Sequence, residues 1–210
     1  MRSILIQDDV ALVETRLKQF EDKTGCELLL VITNASDPYP GASWRFGLIA
    51  GFVTSLIFSY YLEFHLSWMW PVSFLIICLF MTWVGHFTWA KRMGLSDWEI
   101  QRECKEKAVE YFHTLGTSKV THKFTAMIMI STLEKNIQVL IDERLKTQIT
   151  QAELDDLINI MKVHFKAGNA ALGLINSINK LEEKILADFG GKASDAHLSE
   201  LSDTIHFIHI

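Results

Sequence analysis

Hydrophobic positions follow three different rhythms along this chain. From Phe46 to Leu62 and from Leu66 to Ala90 apolar residues run on, uninterrupted by Asp, Glu, Lys or Arg. A bilayer core requires about 20 such residues per helix, so both runs are candidate membrane spans. The second spans with length to spare at about 1.5 Å per residue; the first reaches roughly 26 Å, near the lower limit. Only Glu63, Phe64 and His65 separate them. A chain that crosses in one run must cross back or lie flat in the other. A transmembrane helical hairpin is therefore expected. The competing reading, two buried core helices, leaves too little other chain to cover both.

Helical periodicity marks the second rhythm. Asp8 or Asp9 starts a helix with Val10, Val13, Leu17 and Phe20 on one stripe, and Gly25 ends it. Ser96 and Glu99 form a capping-box pair ahead of Ile100, Cys104, Ala108, Phe112 and Leu115, with an end near Gly116. Thr150 and Glu153 repeat the pair before Leu154, Leu157, Ile158, Met161 and Phe165, and Gly168 breaks that helix. A further helix carries Leu174, Ile178, Leu181 and Ile185 to about Asp188. Leu198, Leu201, Ile205 and Ile208 have the spacing of a last short helix.

The third rhythm is the short continuous aliphatic run, the mark of a strand buried on both faces. Leu28–Ile32, Phe124–Ser131 and Ile137–Asp142 fit it. Thr132–Asn136 is short enough to make the last two a hairpin. Asn34 to Ser43, with Pro38, Pro40 and Gly41, reads as a connecting loop. Strands alternating with helices predict an α/β fold, a three-layer α/β/α sandwich. The two-helix transmembrane hairpin is inserted between its first strand and the next helix. The expected division is 1–44 and 93–210 as one domain split around a hairpin at 45–92. A crossover joins Leu28–Ile32 to Phe124–Ser131, so those strands are expected to be parallel. Glu27 and Asp142 then fall at one end of the sheet, and Thr132–Asn136 at the other, facing the membrane.

Polar and aromatic residues refine the hairpin. Trp44, Tyr60, Tyr61, Trp68, Trp70, Trp89 and Trp98 cluster at its ends, where amphipathic rings favour the headgroup level. Arg45, Lys91 and Arg92 flank its outer ends and its connection carries no Lys or Arg, which puts both termini in the cytoplasm. Ile4–Ile6 is too short for the apolar core of a cleaved signal. Gly47, Gly51, Ser55 and Ser59 recur every fourth residue, a stripe that admits close helix packing. The partner is either the second run, with Ser73, Cys78, Thr82 and Gly85, or a second copy of the chain. His86 is the one histidine in either run and sits near the cytoplasmic end.

Charge and chemistry narrow the function. The net charge of −5 gives no basic footprint for nucleic acid. Cys26, Cys78 and Cys104 have no paired spacing, which fits a reducing compartment. Gly190-Gly191-Lys192 lacks a phosphate-loop pattern, and His122, His164, His197, His206 and His209 are scattered. No catalytic residue is assigned. The best chemical cluster is Glu27, Asp142 and Glu143, hard oxygen ligands of the kind that hold Ca²⁺ or Mg²⁺. A metal there would polarise a phosphoryl oxygen in a phosphatase.

Thr24-Gly25-Cys26-Glu27, the strand pair Met127–Ser131 and Ile137–Asp142 around Leu133-Glu134-Lys135, and Phe165, Gly168, Gly173-Leu174 and Ile178 resemble the TPM-domain family. The tail Leu198-Ser199-Glu200-Leu201-Ser202-Asp203 resembles an acidic ending of bacterial members. The family includes thylakoid photosystem-repair and acid-phosphatase-like proteins and bacterial membrane proteins. The resemblance implies a three-layer α/β/α fold and a bacterial inner-membrane location. Some relatives are phosphatases or calcium binders. One departure is Arg144, where a glycine is expected after the aspartate. Strong packing signals and weak catalytic ones favour a non-catalytic module for membrane-protein assembly or quality control. Its partners would be the lipid bilayer and another membrane protein or itself. A divalent-metal-dependent phosphatase is the alternative.

Overall fold

In the computed structural model, residues 7–61, 69–117, 124–189 and 205–208 are described. In chain order the elements are α1 (Gln7–Thr24), β1 (Glu27–Thr33), α2 (Pro40–Tyr61), α3 (Met69–Val84), α4 (Thr88–Met93) and α5 (Asp97–Tyr111). A π-helical turn (Phe112–Thr117), β2 (Thr125–Ser131), β3 (Asn136–Ile141), α6 (Gln151–Lys166), α7 (Ala170–Phe189) and β4 (His206–Ile208) follow. The result is a mixed α/β protein, mostly helical, with one four-stranded sheet. The chain divides into two compact units, one of residues 1–36 and 104–210 and one of residues 37–103.

The first unit is built on the sheet, in strand order β3-β2-β1-β4. β1 and β2 are parallel from Glu27↔Thr125 to Thr33↔Ser131, as two aliphatic runs joined by a crossover require. Both are buried along their whole length. β2 and β3 form the expected antiparallel hairpin, whose turn holds Lys135 at φ 52°. Alternation divides the strands between two faces. Leu28, Leu30, Ile32, Ile128 and Ile130 join one core with Val13, Leu17 and Phe20 of α1, Leu157 and Met161 of α6, and Leu174 and Ile178 of α7. Leu29, Val31, Met127 and Met129 are buried on the other face, where the π-helical turn contacts β2.

Local chemistry sets the ends of these elements. Gly25, at φ 71°, closes α1 with a left-handed residue, and its N–H bonds Glu21 O at 2.8 Å. Gly168, at φ 81°, does the same between α6 and α7. The Glu153 carboxylate accepts from the Thr150 N–H and hydroxyl, each at 2.8 Å, at the start of α6. The tail departs from expectation. Ile205–Ile208 does not form a helix; His206–Ile208 is a strand parallel to β1 at Val31–Thr33. Helical spacing in so short a segment is outweighed by the unpaired edge of β1, which takes a fourth strand. Leu198, Leu201, the Leu198–Asp203 motif and Gly190-Gly191 lie outside the described residues.

The second unit contains both apolar runs, and in their described parts the order of helix length is the reverse of the sequence expectation. Helix α2 starts at Pro40, inside the expected loop, because proline has no N–H to leave unsatisfied at a first helical position. It reaches 22 residues, and among the described residues it is the one helix long and apolar enough to cross a membrane. The run from Leu66 to Ala90 is not one long helix in its described part. α3 has 16 residues and stops at Val84. His86 Nδ1 bonds Thr82 O at 3.0 Å, taking the carbonyl that a continuing helix would offer the His86 N–H. That N–H turns instead to Trp83 O at 3.2 Å, and Ser43 Oγ donates to Gly85 O at 2.9 Å. The chain then restarts as α4. Among the described residues the expected two-helix transmembrane hairpin thus has one helix of spanning length, and the pair is not confirmed as a hairpin of two spans. The connection Glu63–His65, with Trp68, lies outside the described residues.

Candidate functional site

Parallel pairing sets Glu27 opposite Thr125, and the Asp142 N–H bonds Thr125 O at 2.9 Å. Glu27 and Asp142 therefore flank one residue at the same end of the sheet. Glu27 is fully buried. Asp142 is taken by the residue that departs from the family pattern. Arg144 donates its N–H to Oδ1 at 3.0 Å, Nε to Oδ1 at 3.2 Å and a terminal nitrogen to Oδ2 at 2.7 Å. The same guanidinium lies 4.6 Å over the Phe124 ring. This hydrogen-bonded pairing holds the Asp142 carboxyl below its usual value. Glu143 goes elsewhere: its side chain is 89% exposed and pairs with Lys146 at 2.8 Å.

Beside this group Cys26 is buried, and its N–H bonds Thr24 Oγ1 at 3.1 Å. Burial pushes its thiol up to about 12, and the nearby Glu27 and Asp142 charges add to that against Thr24 and Arg144. Such a thiol is protonated at neutral pH and a poor nucleophile. The expected ligand set is thus only partly assembled. Glu27 and Asp142 share one sheet end, and Glu143 turns to solvent. Among the described residues no three His, Cys, Asp or Glu side chains gather in a way that could hold a metal ion. Arg144 occupies both Asp142 oxygens, so the residues present do not fit a divalent cation.

The opposite sheet end holds a buried carboxylate that periodicity did not single out. Glu134, in the β2–β3 turn, accepts from the Ser36 N–H at 2.7 Å and from the Ser131 hydroxyl. Ser36 Oγ in turn donates to Cys104 Sγ at 3.2 Å. Glu134 clamps the residues after β1 to the β2–β3 turn. A glutamate three residues after a strand-end serine was the available signal, and it resembled an ordinary turn charge.

In the helical unit the small-residue stripe meets α3. A Cβ on Gly47 would collide with Thr82 Oγ1, and one on Gly51 would lie 2.7 Å from Cys78 Sγ. Each step of four residues up α2 matches four down α3, so the helices are antiparallel. Ser55 is buried and Ser59 half-buried on the same stripe.

Comparison with known proteins follows the same outline. A search of curated proteins finds no match. The NMR structure of BA42 protein from the psychrophilic bacterium Bizionia argentinensis is similar at a TM-score of 0.59. The similarity covers 99% of this chain and 98% of that one at 13% identity, which speaks to the fold alone. A family model, the TPM domain, matches from the start of α5 into α7. α1 and β1, which complete the sheet, precede that stretch. The family resemblance carried by the strand pair and the last helices is thereby borne out: residues 97–184 match the TPM-domain model.

Proposed function

We propose that the chain is a membrane-anchored TPM module whose α2 and α3 sit in a bilayer and whose sheet domain binds another membrane-associated protein. The observation that carries this reading is the outward surface of the two helices. Leu48, Ile49, Phe52, Val53, Leu56 and Ile57 on α2 are all exposed, as are Leu75, Ile76, Leu79, Phe80 and Trp83 on α3. A core helix of a water-soluble protein buries such residues; a span leaves them to lipid. Arg45, Lys91 and Arg92 favour the cytoplasm for both termini, in a bacterial inner membrane. A binding role suits a sheet domain whose carboxylates have internal partners: Asp142 with Arg144, Glu134 with Ser36 and Ser131, Glu182 with Arg16 and Lys23.

The test has two arms. A cysteine at Glu63 should react with an impermeant thiol reagent in intact cells; labelling of a cysteine at Ser3 instead overturns the orientation. Capture from detergent-solubilised membranes should then retain a specific membrane protein or a second copy of the chain. Metal-dependent hydrolysis of phosphate esters by the purified protein, abolished by Asp142→Ala, would replace the binding reading with a phosphatase.

A further inference from the structure

The sheet domain has two ends of different charge. Asp142 and Glu143 stand at one, where β1 and β2 start and β3 finishes. The other is where β1 and β2 finish, and where the chain leaves for the helical unit after Ser36. Its β2–β3 turn holds one acid and one base, in opposite settings. Glu134 is buried, with one oxygen on the Ser36 N–H and the other on the Ser131 hydroxyl; Lys135, next to it, is exposed.

The α6–α7 junction arrives at this same end. β3 runs toward the Asp142 end, and α6 starts there after a short loop. Its 16 residues rise about 24 Å, and the seven residues of β2 span about 23 Å. Leu154, Leu157 and Met161 bury one face of α6 in the sheet core, so α6 runs the length of the strands before Gly168, at φ 81°, turns the chain into α7. From 162 to 172 this junction has no Asp or Glu. Lys162 and Lys166 are exposed, and so are Val163, at 66%, and Leu172, at 48%. Back along α6, Asp156 is about 9 Å down the axis and pairs with Lys180. Ahead on α7 the first carboxylate is Glu182, held by Arg16 and Lys23. α1 also begins at this end, and its Asp9 is half-buried. Lys166 in the last turn of α6 offsets the helix dipole, but that gives Val163 and Leu172 no reason to face water. On a chain of net charge −5, this end interleaves exposed lysines with exposed apolar side chains.

We propose that this end of the sheet domain docks on the anionic headgroups of a phospholipid bilayer. Lys135, Lys162 and Lys166 meet the phosphates, and Val163 and Leu172 enter the boundary beneath them. The inference rests on the bilayer placement proposed above and adds a second attachment to it. Charge complementarity selects the occupant, and the covalent link keeps it within reach. From Ser36 to Pro40, the first residue of α2, is at most about 14 Å of extended chain. Each lysine at an anionic surface is worth about fivefold in affinity.

The experiment uses the full chain with an environment-sensitive dye on Ala167→Cys, reconstituted into phosphatidylcholine vesicles with or without about 30% phosphatidylglycerol. Flotation first establishes that the chain is in the vesicles. A lipid with a nitroxide on its headgroup should then quench the dye about threefold more strongly with phosphatidylglycerol than without. The difference should vanish at about 0.5 M salt. The same dye on Glu143→Cys, at the opposite sheet end, should be quenched weakly in both. Lys135→Gln, Lys162→Gln and Lys166→Gln together should remove the phosphatidylglycerol effect while the protein still floats, and arginine at the same three positions should keep it. Equal quenching with and without phosphatidylglycerol, or an effect that survives the triple glutamine variant, overturns the docking proposal and leaves the anchor standing. Energy transfer between labelled copies without quenching by lipid does the same, and assigns the face to a second copy of the chain. Failure to float with either vesicle overturns the bilayer placement itself and this proposal with it.

Discussion

Leu30 and Leu56 are the same residue in two regions that treat it oppositely. Leu30, in the middle of β1, is 1% exposed; Leu56, in the C-terminal half of α2, is 48% exposed. The sheet domain consumes its own apolar surface: strands supply two faces, and helices close the core over them. Along α2 the helical unit buries its small residues. Gly47, Gly51 and Ser55 are buried, while the large side chains around them point away from the seam. Hydrophobicity alone does not tell a core from an exposed apolar surface. The position of the small residues does, because close backbone approach needs them inside.

The largest expected effect comes from the two leucines themselves. Leu30→Ala should remove about 2–5 kcal/mol from unfolding of the sheet domain, since it empties a packed site. Leu56→Ala should change unfolding in detergent by less than about 0.5 kcal/mol. Denaturant titrations of both variants check this, and equal losses would erase the contrast.

Gly51→Leu comes next. Its Cβ would already sit 2.9 Å from the Cys78 backbone, so overpacking should cost the helix pair about 1–3 kcal/mol. Cys26, Cys78 and Cys104 are all buried thiols. In this variant Cys78 should become reactive to N-ethylmaleimide while Cys26 and Cys104 stay protected. Parallel exposure of all three would mean that the two units are not separable.

A smaller effect should appear in acid. Arg144 holds the Asp142 carboxyl below its unfolded value, and Arg45, with Ser96, holds Glu99 at about 2. Both shifts favour the folded state above the unfolded carboxylate range and lose that contribution as pH falls through the folded value. For Glu99 the window runs from about 4.5 down to about 2. Arg144→Ala should flatten the acid limb of the sheet domain, by less than about 1 kcal/mol for so exposed a pair. Glu99→Gln should flatten that of the helical unit. Unfolding curves between neutral pH and that range decide it, and a limb unchanged in both variants would remove these pairs from the account.

The smallest expected effect is at Ser55. Its hydroxyl is buried with no hydrogen-bond partner among the described residues. Ser55→Ala should therefore be neutral or slightly stabilising, within about 0.5 kcal/mol. A loss above about 1 kcal/mol would reveal a hydrogen bond made by that hydroxyl.

Sequence alone determined what depends on near neighbours. Periodicity placed α1, α5, α6 and α7, aliphatic runs placed three strands, and Gly25 and Gly168 ended helices where a left-handed residue is needed. Charge-free runs marked the apolar unit, and the four-residue stripe on α2 marked its seam. Tertiary structure decided what depends on partners distant in the chain. His206–Ile208 is a strand because β1 has a free edge, which no local pattern records. α3 ends at Val84 because Ser43, some forty residues earlier, claims the Gly85 carbonyl while His86 claims that of Thr82. Glu27 and Asp142 share a sheet end through Thr125, but Arg144 takes the Asp142 carboxylate and Glu143 turns outward. Whether a carboxylate faces a cation site, an arginine or solvent is fixed by side-chain geometry around the strand ends, and residue type carries none of that.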